Sequence, residues 1–154
     1  MIAAPPPVYP WPIGVGPRYH PSAAGRPGSP LRCASGGRTF AVHVELFAYR
    51  KVVVVPPGIG SRRRCLSTTE PTGVVHVAVA GRYRLGDLFR VWGRRLTRSS
   101  LLSFTGGPVR VYLGGRRIRG EPGAVPLTKH AQIVVEIGGY VAPHPSYLFP
   151  KGVG

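Results

Sequence analysis

TFAVHVELFAYRKVVVVPPGIG, residues 39–60, is the stretch that decides the fold, because it predicts two antiparallel strands joined by a tight turn. The first strand is predicted over residues 39–48 and the second over residues 51–55. The second strand is expected to end at Pro56-Pro57, since proline has no amide hydrogen to donate within a sheet. The unbroken β-branched run from Val52 to Val55 is typical of a buried strand.

Three further regions have strand patterns. They are residues 74–80, a hairpin that begins with residues 109–113 and turns at Gly114-Gly115, and residues 131–137. Two consecutive glycines suit the positive φ angles of a two-residue turn.

Residues 85–96 have the pattern of an amphipathic helix. Its apolar face is formed by five residues at helical spacing: Leu85, Leu88, Phe89, Trp92 and Leu96. Gly93 lies inside this segment and is expected to weaken the helix without ending it.

The predicted order of three strands, one helix and three strands favours an α+β, mostly β fold. We expect a β-grasp-like sheet covered by the one amphipathic helix, with a small β-barrel as the alternative. Residues 39–139 are predicted to form this β-rich domain, and residues 1–38 a disordered Pro/Gly-rich tail. Residues 140–154 are predicted to be a Pro-rich tail packed on the surface, with four anchors: Tyr140, Tyr147, Leu148 and Phe149.

The charge of the chain is strongly unbalanced, since its 154 residues include 21 Lys and Arg but 5 Asp and Glu, a net charge of +16. Such a charge concentrates anions near a protein, so it indicates a nucleic acid or another polyanion as partner. Nine arginines form three clusters: Arg62, Arg63 and Arg64, then Arg94, Arg95 and Arg98, then Arg116, Arg117 and Arg119. Tyr83 and Tyr112 lie near them in sequence and offer rings for base stacking. The alternative is a basic surface that is only solvated.

Cys33 and Cys65 lack a CxxC spacing, so we expect free thiols, with a disulfide as the alternative in an oxidising compartment. Prolines interrupt the N-terminal stretch MIAAPPPVYPWPIGVGP, which therefore predicts neither a signal peptide nor a membrane helix. The default prediction is a cytoplasmic protein without a membrane span.

The chain has no phosphate-binding loop, no GxSxG elbow and no HExxH motif. Its five acidic residues are scattered singly, so their spacing shows no acid–base pair. A Cys65–His76 dyad has nothing to position it. The sequence therefore predicts a protein that is not an enzyme.

Histidines in two predicted strands are candidates for metal binding. His43 and His76 lie within strands, Glu45 follows on the first strand, and Glu70 lies in the loop before the second. Imidazoles and carboxylates bind divalent transition metals, so these four residues form a candidate metal site if the strands are neighbours. The alternative is a pair of half-buried histidines bonded to the backbone. The other three histidines are given no role in this site: His20, His130 and His144.

Three segments are distinctive together: VHVELFAYRKVVVVPPGIG, TGVVHVAVAGRYRLGDLFRVWG and PLTKHAQIVVEIGGYVAPHPSYLFP. Across residues 41–149 they resemble a family of uncharacterised bacterial and archaeal proteins, many of them secreted or membrane-anchored. The family motifs are HxHxxLxIFVNG, VPAGIG, LHTHDxTGVIHVE, TLGxFFxxWG and a final IxLxxHAxI strand.

The resemblance implies a His-rich metal-binding loop that is degenerate in this chain. His43 falls on the second histidine of the HxH motif and His76 on the histidine of the VIHVE strand. Ala41 replaces the first HxH histidine, and Ser67 and Thr69 replace both histidines of LHTHD. Three further departures are Glu70 for the aspartate, Ala78 for the strand glutamate and Tyr49-Arg50 for the Asn-Gly turn.

These observations predict a non-catalytic binding or structural module, in one interpretation a degenerate metal- or small-ligand-binding β domain. The alternative is a basic scaffold that binds nucleic acid or another polyanion without sequence specificity. In that case we expect binding to be lost at raised salt.

Overall fold

The structure is a computed structural model that describes residues 16–23, 38–60 and 65–151. Most of the predicted tail 1–38 lies outside these residues, as do Cys33 and the first arginine cluster. The described elements are seven strands, one α-helix and a 3₁₀ turn: β1 (Thr39–Ala48), β2 (Lys51–Val53), β3 (Leu66–Ser67), β4 (Val74–Ala78), α1 (Leu85–Trp92), β5 (Val109–Leu113), β6 (Arg116–Ile118), the turn Pro122–Ala124 and β7 (Gln132–Ile137).

The seven strands form one mixed sheet in the order β3-β4-β1-β7-β5-β6, with β2 paired to β1. β1 and β7 are parallel neighbours at the centre, and β4 and β5 flank them in antiparallel pairing. This order is that of a β-grasp fold, so the prediction of an α+β, mostly β protein is confirmed. The barrel alternative is wrong, because β3 and β6 are the two open edges of the described sheet.

Strand alternation divides the sheet into a helix-covered face and a second face. On β1, Val42, Val44 and Leu46 point to the helix and are buried in the main core. The predicted helix face supplies four buried residues to this core: Leu85, Leu88, Phe89 and Trp92. His43 and Glu45 alternate with these valines, so they lie on the second face.

The helix α1 is shorter than predicted. The backbone N–H of Arg84 donates to Oδ2 of Asp87 at 2.8 Å, which fixes the first turn. Gly93 has a φ of +77°, and its N–H donates to the carbonyl of Phe89 at 2.8 Å. A left-handed glycine of this kind ends a helix. The predicted extension to residue 96 is therefore wrong, and Leu96 instead bridges to Leu101.

The two predicted hairpins are present, with different turn chemistry. Gly114 and Gly115 have φ angles of 60° and 85°, as a two-residue turn requires. The β1–β2 turn has the same geometry without glycine, because Tyr49 and Arg50 have φ angles of 52° and 69°. β2 and β4 are shorter than predicted, and β3 was not predicted at all.

The loop between β2 and β4 is organised by one hydroxyl group. Thr68 Oγ1 donates to the carbonyl of Pro56 at 2.7 Å and accepts the N–H of Ile59 at 3.0 Å. These bonds hold Leu66–Ser67 beside β4 as strand β3. Cys65, next to this strand, is buried and disulfide-bonded, so the prediction of a free thiol is wrong for this residue.

Candidate functional site

Two arginine clusters that are separate in sequence meet at one edge of the sheet. A pocket of about 350 Å³ beside β6 is lined by Arg98, Arg117 and Arg119. Arg117 belongs to β6, Arg119 follows it, and Arg98 lies in the loop after α1. The loop is tied to the sheet because the N–H of Val109 donates to the carbonyl of Arg98 at 2.8 Å.

The pocket combines an apolar lining with cationic groups. Val111 and Ile118, which pair across β5 and β6, line it together with the arginines. Nε of Arg98 donates to Oε1 of Glu121 at 2.6 Å, and both side chains are exposed. Arg117 and Arg119 have no acidic partner among the described residues. The arrangement is suited to an anion that contacts more than one guanidinium group.

The remaining members of these clusters have other environments. Arg95 and Arg116 are exposed outside the pocket lining. Arg94 donates from Nη2 to the carbonyl of Ser22 at 3.1 Å, and its guanidinium lies 6.0 Å from the centre of the Trp92 ring. Arg94 therefore belongs to the packing around α1.

The two tyrosines that we expected to stack on a base have different environments. Tyr112 is buried on the second face, and Tyr83 packs against the main core. The buried Tyr112 ring offers no exposed face for stacking, whereas Tyr83 is partly exposed.

The acidic residues leave the surface more positive than composition alone suggests. Glu45 and Glu136 are 4% and 0% exposed. Asp87 fixes the start of α1, Glu121 binds Arg98, and Glu70 is exposed in a loop. Three carboxylates are thus left to oppose the positive charge at the surface.

The second face of the sheet carries a buried polar layer. His43 Nδ1 lies 2.6 Å from Gln132 Oε1, and Gln132 Nε2 lies 2.5 Å from Glu45 Oε1. His43 Nε2 donates to the carbonyl of Thr72 at 2.8 Å. From the C-terminal segment, His144 Nδ1 donates to Glu45 Oε2 at 2.9 Å. The parallel register of β1 and β7, which pairs residue 43 with residue 132, creates this layer.

Burial controls the protonation of this layer. It lowers the pKa of His43 from 6.5 to about 4, against the hydrogen bonds with Gln132 and Thr72. Burial also raises the pKa of Glu45, although the bond from His144 opposes the rise. The bond with Glu45 raises the pKa of His144. Burial raises the pKa of Glu136 as well.

Two of the predicted anchors of the C-terminal segment stack on histidine rings. The Tyr147 ring stacks on His43, with centroids 3.5 Å apart and planes at 8°. The Phe149 ring stacks on His130 at 4.4 Å. These stacks place the segment against the polar layer and the start of β7.

The other two predicted anchors are largely exposed. Tyr140 and Leu148 are 61% and 63% exposed, although the Tyr140 ring meets that of Tyr112 at 6.4 Å. Val141 is buried instead, and its N–H donates to Oε1 of Glu136 at 3.2 Å. His144, to which we gave no role, binds Glu45 as described above.

The four predicted metal ligands are not gathered at one point. His43 and Glu45 are linked indirectly through an amide, whereas His76 lies 3.4 Å from the hydroxyl of Thr69. Glu70 is exposed in its loop. Among the described residues, no group of three or more His, Cys, Asp or Glu side chains is placed to hold a metal ion. Metal binding stays a prediction.

Sequence reasoning missed Gln132 and His144. Gln132 had a signal, because the strand QIVVEI carries polar groups at residues 132 and 136, which share one face. His144 had none, since its contact with Glu45 joins residues 99 positions apart.

No helix in the described part of the chain has the length and apolar character needed to cross a membrane. No family model, no curated protein and no solved structure matches the chain. The similarity of residues 41–149 to the family named above therefore stays a prediction.

Proposed function

We propose that this protein is a non-catalytic β-grasp domain that binds a polyanion such as nucleic acid without sequence specificity. The observation that carries the proposal is the pocket at the sheet edge, where Arg98, Arg117 and Arg119 lie together. The pocket brings Arg98 of the second cluster beside Arg117 and Arg119 of the third. A basic surface that is only solvated does not require such convergence.

The charge distribution supports the same function. Two of five carboxylates are buried, and Arg117 and Arg119 have no acidic partner among the described residues. Guanidinium groups bind phosphate oxygens through paired N–H donors, and each phosphate bound releases counterions from a nucleic acid. Such contacts carry no base information, so the binding is independent of sequence.

A matched pair of charge reversals tests this proposal. Arg117→Glu with Arg119→Glu changes the pocket, whereas Arg38→Glu with Arg82→Glu makes the same change in net charge elsewhere on the exposed surface. We expect the pocket variant to lose about tenfold or more in affinity for duplex DNA at low salt and the control to lose clearly less. Fluorescence anisotropy measures both. Equal losses would show that net charge alone drives binding and that the pocket has no role.

A degenerate metal- or small-ligand-binding domain is the second candidate, favoured by the surroundings of His76. Across neighbouring strands, His76 pairs with Ala41 on β1 and with Ser67 on β3, so the three side chains form a row on one face. Thr69 contacts the same imidazole. Ala41 and Ser67 stand where the resembled family has histidines, so the row supports a degenerate site with one remaining ligand. Elemental analysis of the purified protein tests whether metal is retained.

We also propose that the protein works in an oxidising compartment rather than in the cytoplasm. The disulfide at Cys65 supports this, because disulfides persist mainly where thiols are not kept reduced. Titration of free thiols in the denatured, unreduced protein tests it. We expect no free thiol, and two thiols per chain in protein from its native host would contradict the proposal.

A further inference from the structure

Aromatic rings meet at the end of the sheet where β1 turns into β2. The Tyr19 and Phe104 rings are nearly perpendicular, at 88°, with centroids 5.4 Å apart, and the Tyr49 ring lies 6.4 Å from the same Phe104. Tyr19 and Tyr49 are 39% and 46% exposed. Part of each ring is therefore available to a partner.

The backbone holds both tyrosines in place. The N–H of Tyr19 donates to the carbonyl of Val52 at 2.8 Å, and its carbonyl accepts from Val54 at 2.9 Å, so residue 19 is paired with the edge of β2. The hydroxyl of Tyr49 donates to the carbonyl of Thr105. The Tyr49 ring also lies over Gly138, where a Cβ would collide with it.

The turn keeps Tyr49 and Arg50 at a conformational cost. Both have positive φ angles, 52° and 69°, which are strained for residues other than glycine, asparagine and aspartate. Backbone strain of this kind is found most often at functional sites. The strained residues are a tyrosine and an arginine with exposed side chains, and exposed Lys51 follows them.

Charge at this end of the sheet is also positive. The nearby carboxylate of Glu136 is fully buried and is bound by Arg110 at 3.2 Å, so it does not offset Arg50 and Lys51. Phe104 and Arg98 lie in the same loop. Residues 97–108 therefore connect the aromatic rings with the arginine pocket.

We propose that Tyr19, Tyr49 and Arg50 form a stacking platform for the unpaired bases of a single-stranded nucleic acid. This inference rests on the proposed function and names its partner. Exposed rings beside cationic groups bind single strands because every unpaired base presents a π face, whereas the faces of bases in a duplex are already stacked.

The test compares binding to oligothymidine of about 16 nucleotides and to duplex DNA of the same length by fluorescence anisotropy. We expect the wild type to prefer the single strand. Tyr19→Leu with Tyr49→Asn keeps the net charge and suits the positive φ of the turn, and it should reduce single-strand affinity about tenfold while leaving duplex affinity unchanged. Tyr49→Phe, which keeps the ring, should bind like the wild type.

Tyr140→Leu is the matched control, because it removes an exposed tyrosine outside the Tyr19–Phe104–Tyr49 contacts and should leave both affinities unchanged. Circular dichroism establishes that each variant is folded. Equal wild-type affinities for single strand and duplex would overturn the platform while leaving polyanion binding intact. Binding to neither would overturn the proposed function and the platform with it.

Discussion

The side chains of His43 and Glu45 are joined through the amide of Gln132, which lies 2.6 Å from Nδ1 of His43 and 2.5 Å from Oε1 of Glu45. His43 Nε2 donates to the carbonyl of Thr72. Nδ1 can therefore donate to the amide oxygen only if it also carries a hydrogen, which makes the imidazole positively charged. If the Gln132 amide is flipped, so that its oxygen and nitrogen exchange places, Nδ1 accepts from the amide nitrogen. Glu45 must then be protonated in order to donate to the amide oxygen. Burial lowers the pKa of His43 and therefore favours the second arrangement.

The pKa of His43 predicts how stability changes with pH. Because burial lowers this pKa from 6.5 to about 4, the stability contribution of neutral His43 is complete above pH 6.5. It is lost as the pH falls towards 4, and the loss is about 3 kcal/mol. Glu45 opposes this trend, because its pKa is raised and its ionisation destabilises the fold as the pH rises.

A comparison of the wild type with His43→Gln removes the titration of His43, while Glu45, Glu136 and His144 are present in both proteins. We expect the free energy of unfolding to decline more steeply for the wild type between pH 6.5 and pH 4, as measured by denaturant titration at each pH. Parallel curves would mean that the pKa of His43 is the same in the folded and the unfolded protein, which would contradict the effect of burial.

Trp92 is predicted to be the largest single contributor from α1 to stability. It is 1% exposed, and its Nε1 donates to the carbonyl of Ser22 at 2.9 Å. Trp92→Ala should lower the free energy of unfolding by about 3–5 kcal/mol, through lost contacts and a cavity. Trp92→Phe retains a ring against Phe89 and should cost clearly less. An unchanged denaturation midpoint for Trp92→Ala would contradict this packing.

Gly73 is predicted to tolerate no side chain. Its φ is +84°, and a Cβ there would lie 3.0 Å from Nε2 of His43 and would overlap the carbonyl oxygen of Val44. Gly73→Ala should therefore destabilise the protein by at least about 2 kcal/mol. Gly107→Ala is the control, because a Cβ there meets no heavy atom within 4 Å. Equal melting temperatures for the two variants would refute the account of this turn.

The row formed by Ala41, His76 and Ser67 predicts that metal affinity can be raised by substitution. Ser67→His with Thr69→His adds two imidazoles beside His76, and tetrahedral zinc needs ligands at about 2.0–2.3 Å. We expect the wild type to bind Zn²⁺ and Cu²⁺ weakly or not at all by calorimetry, and the double variant to bind more tightly. Asparagine at the same two positions is the control. Tight binding by the wild type would show that the site was never lost.

Local patterns predicted most of the fold. Alternation predicted β1, helical spacing predicted the buried face of α1, and Gly114-Gly115 predicted the second hairpin, because each signal lies within a few residues. The end of α1 was misplaced, because whether Gly93 takes a left-handed φ depends on the chain that follows. β3 was missed, since two residues form a strand only when a bond such as that from Thr68 holds them beside β4.

The candidate site was less accessible to sequence reasoning. The arginine clusters were evident, but which arginines converge depends on the loop that brings Arg98 to β6. Tyr83 and Tyr112 were predicted to stack on bases because they lie near arginines in sequence. The exposure of a ring, however, depends on the sheet face that carries it and on the segments packed against that face. Tyr19 and Tyr49 are exposed because of where the fold places them, and not because of their neighbours in sequence.

The salt dependence of binding to duplex DNA tests the central claim most directly. If Arg98, Arg117 and Arg119 contact phosphates, the logarithm of the wild-type association constant should fall linearly with the logarithm of the salt concentration. The predicted slope is about −3 or steeper, which corresponds to counterion release from about three phosphates. A slope near zero, or no binding at the lowest salt concentration, would contradict the claim that this basic β-grasp domain binds polyanions.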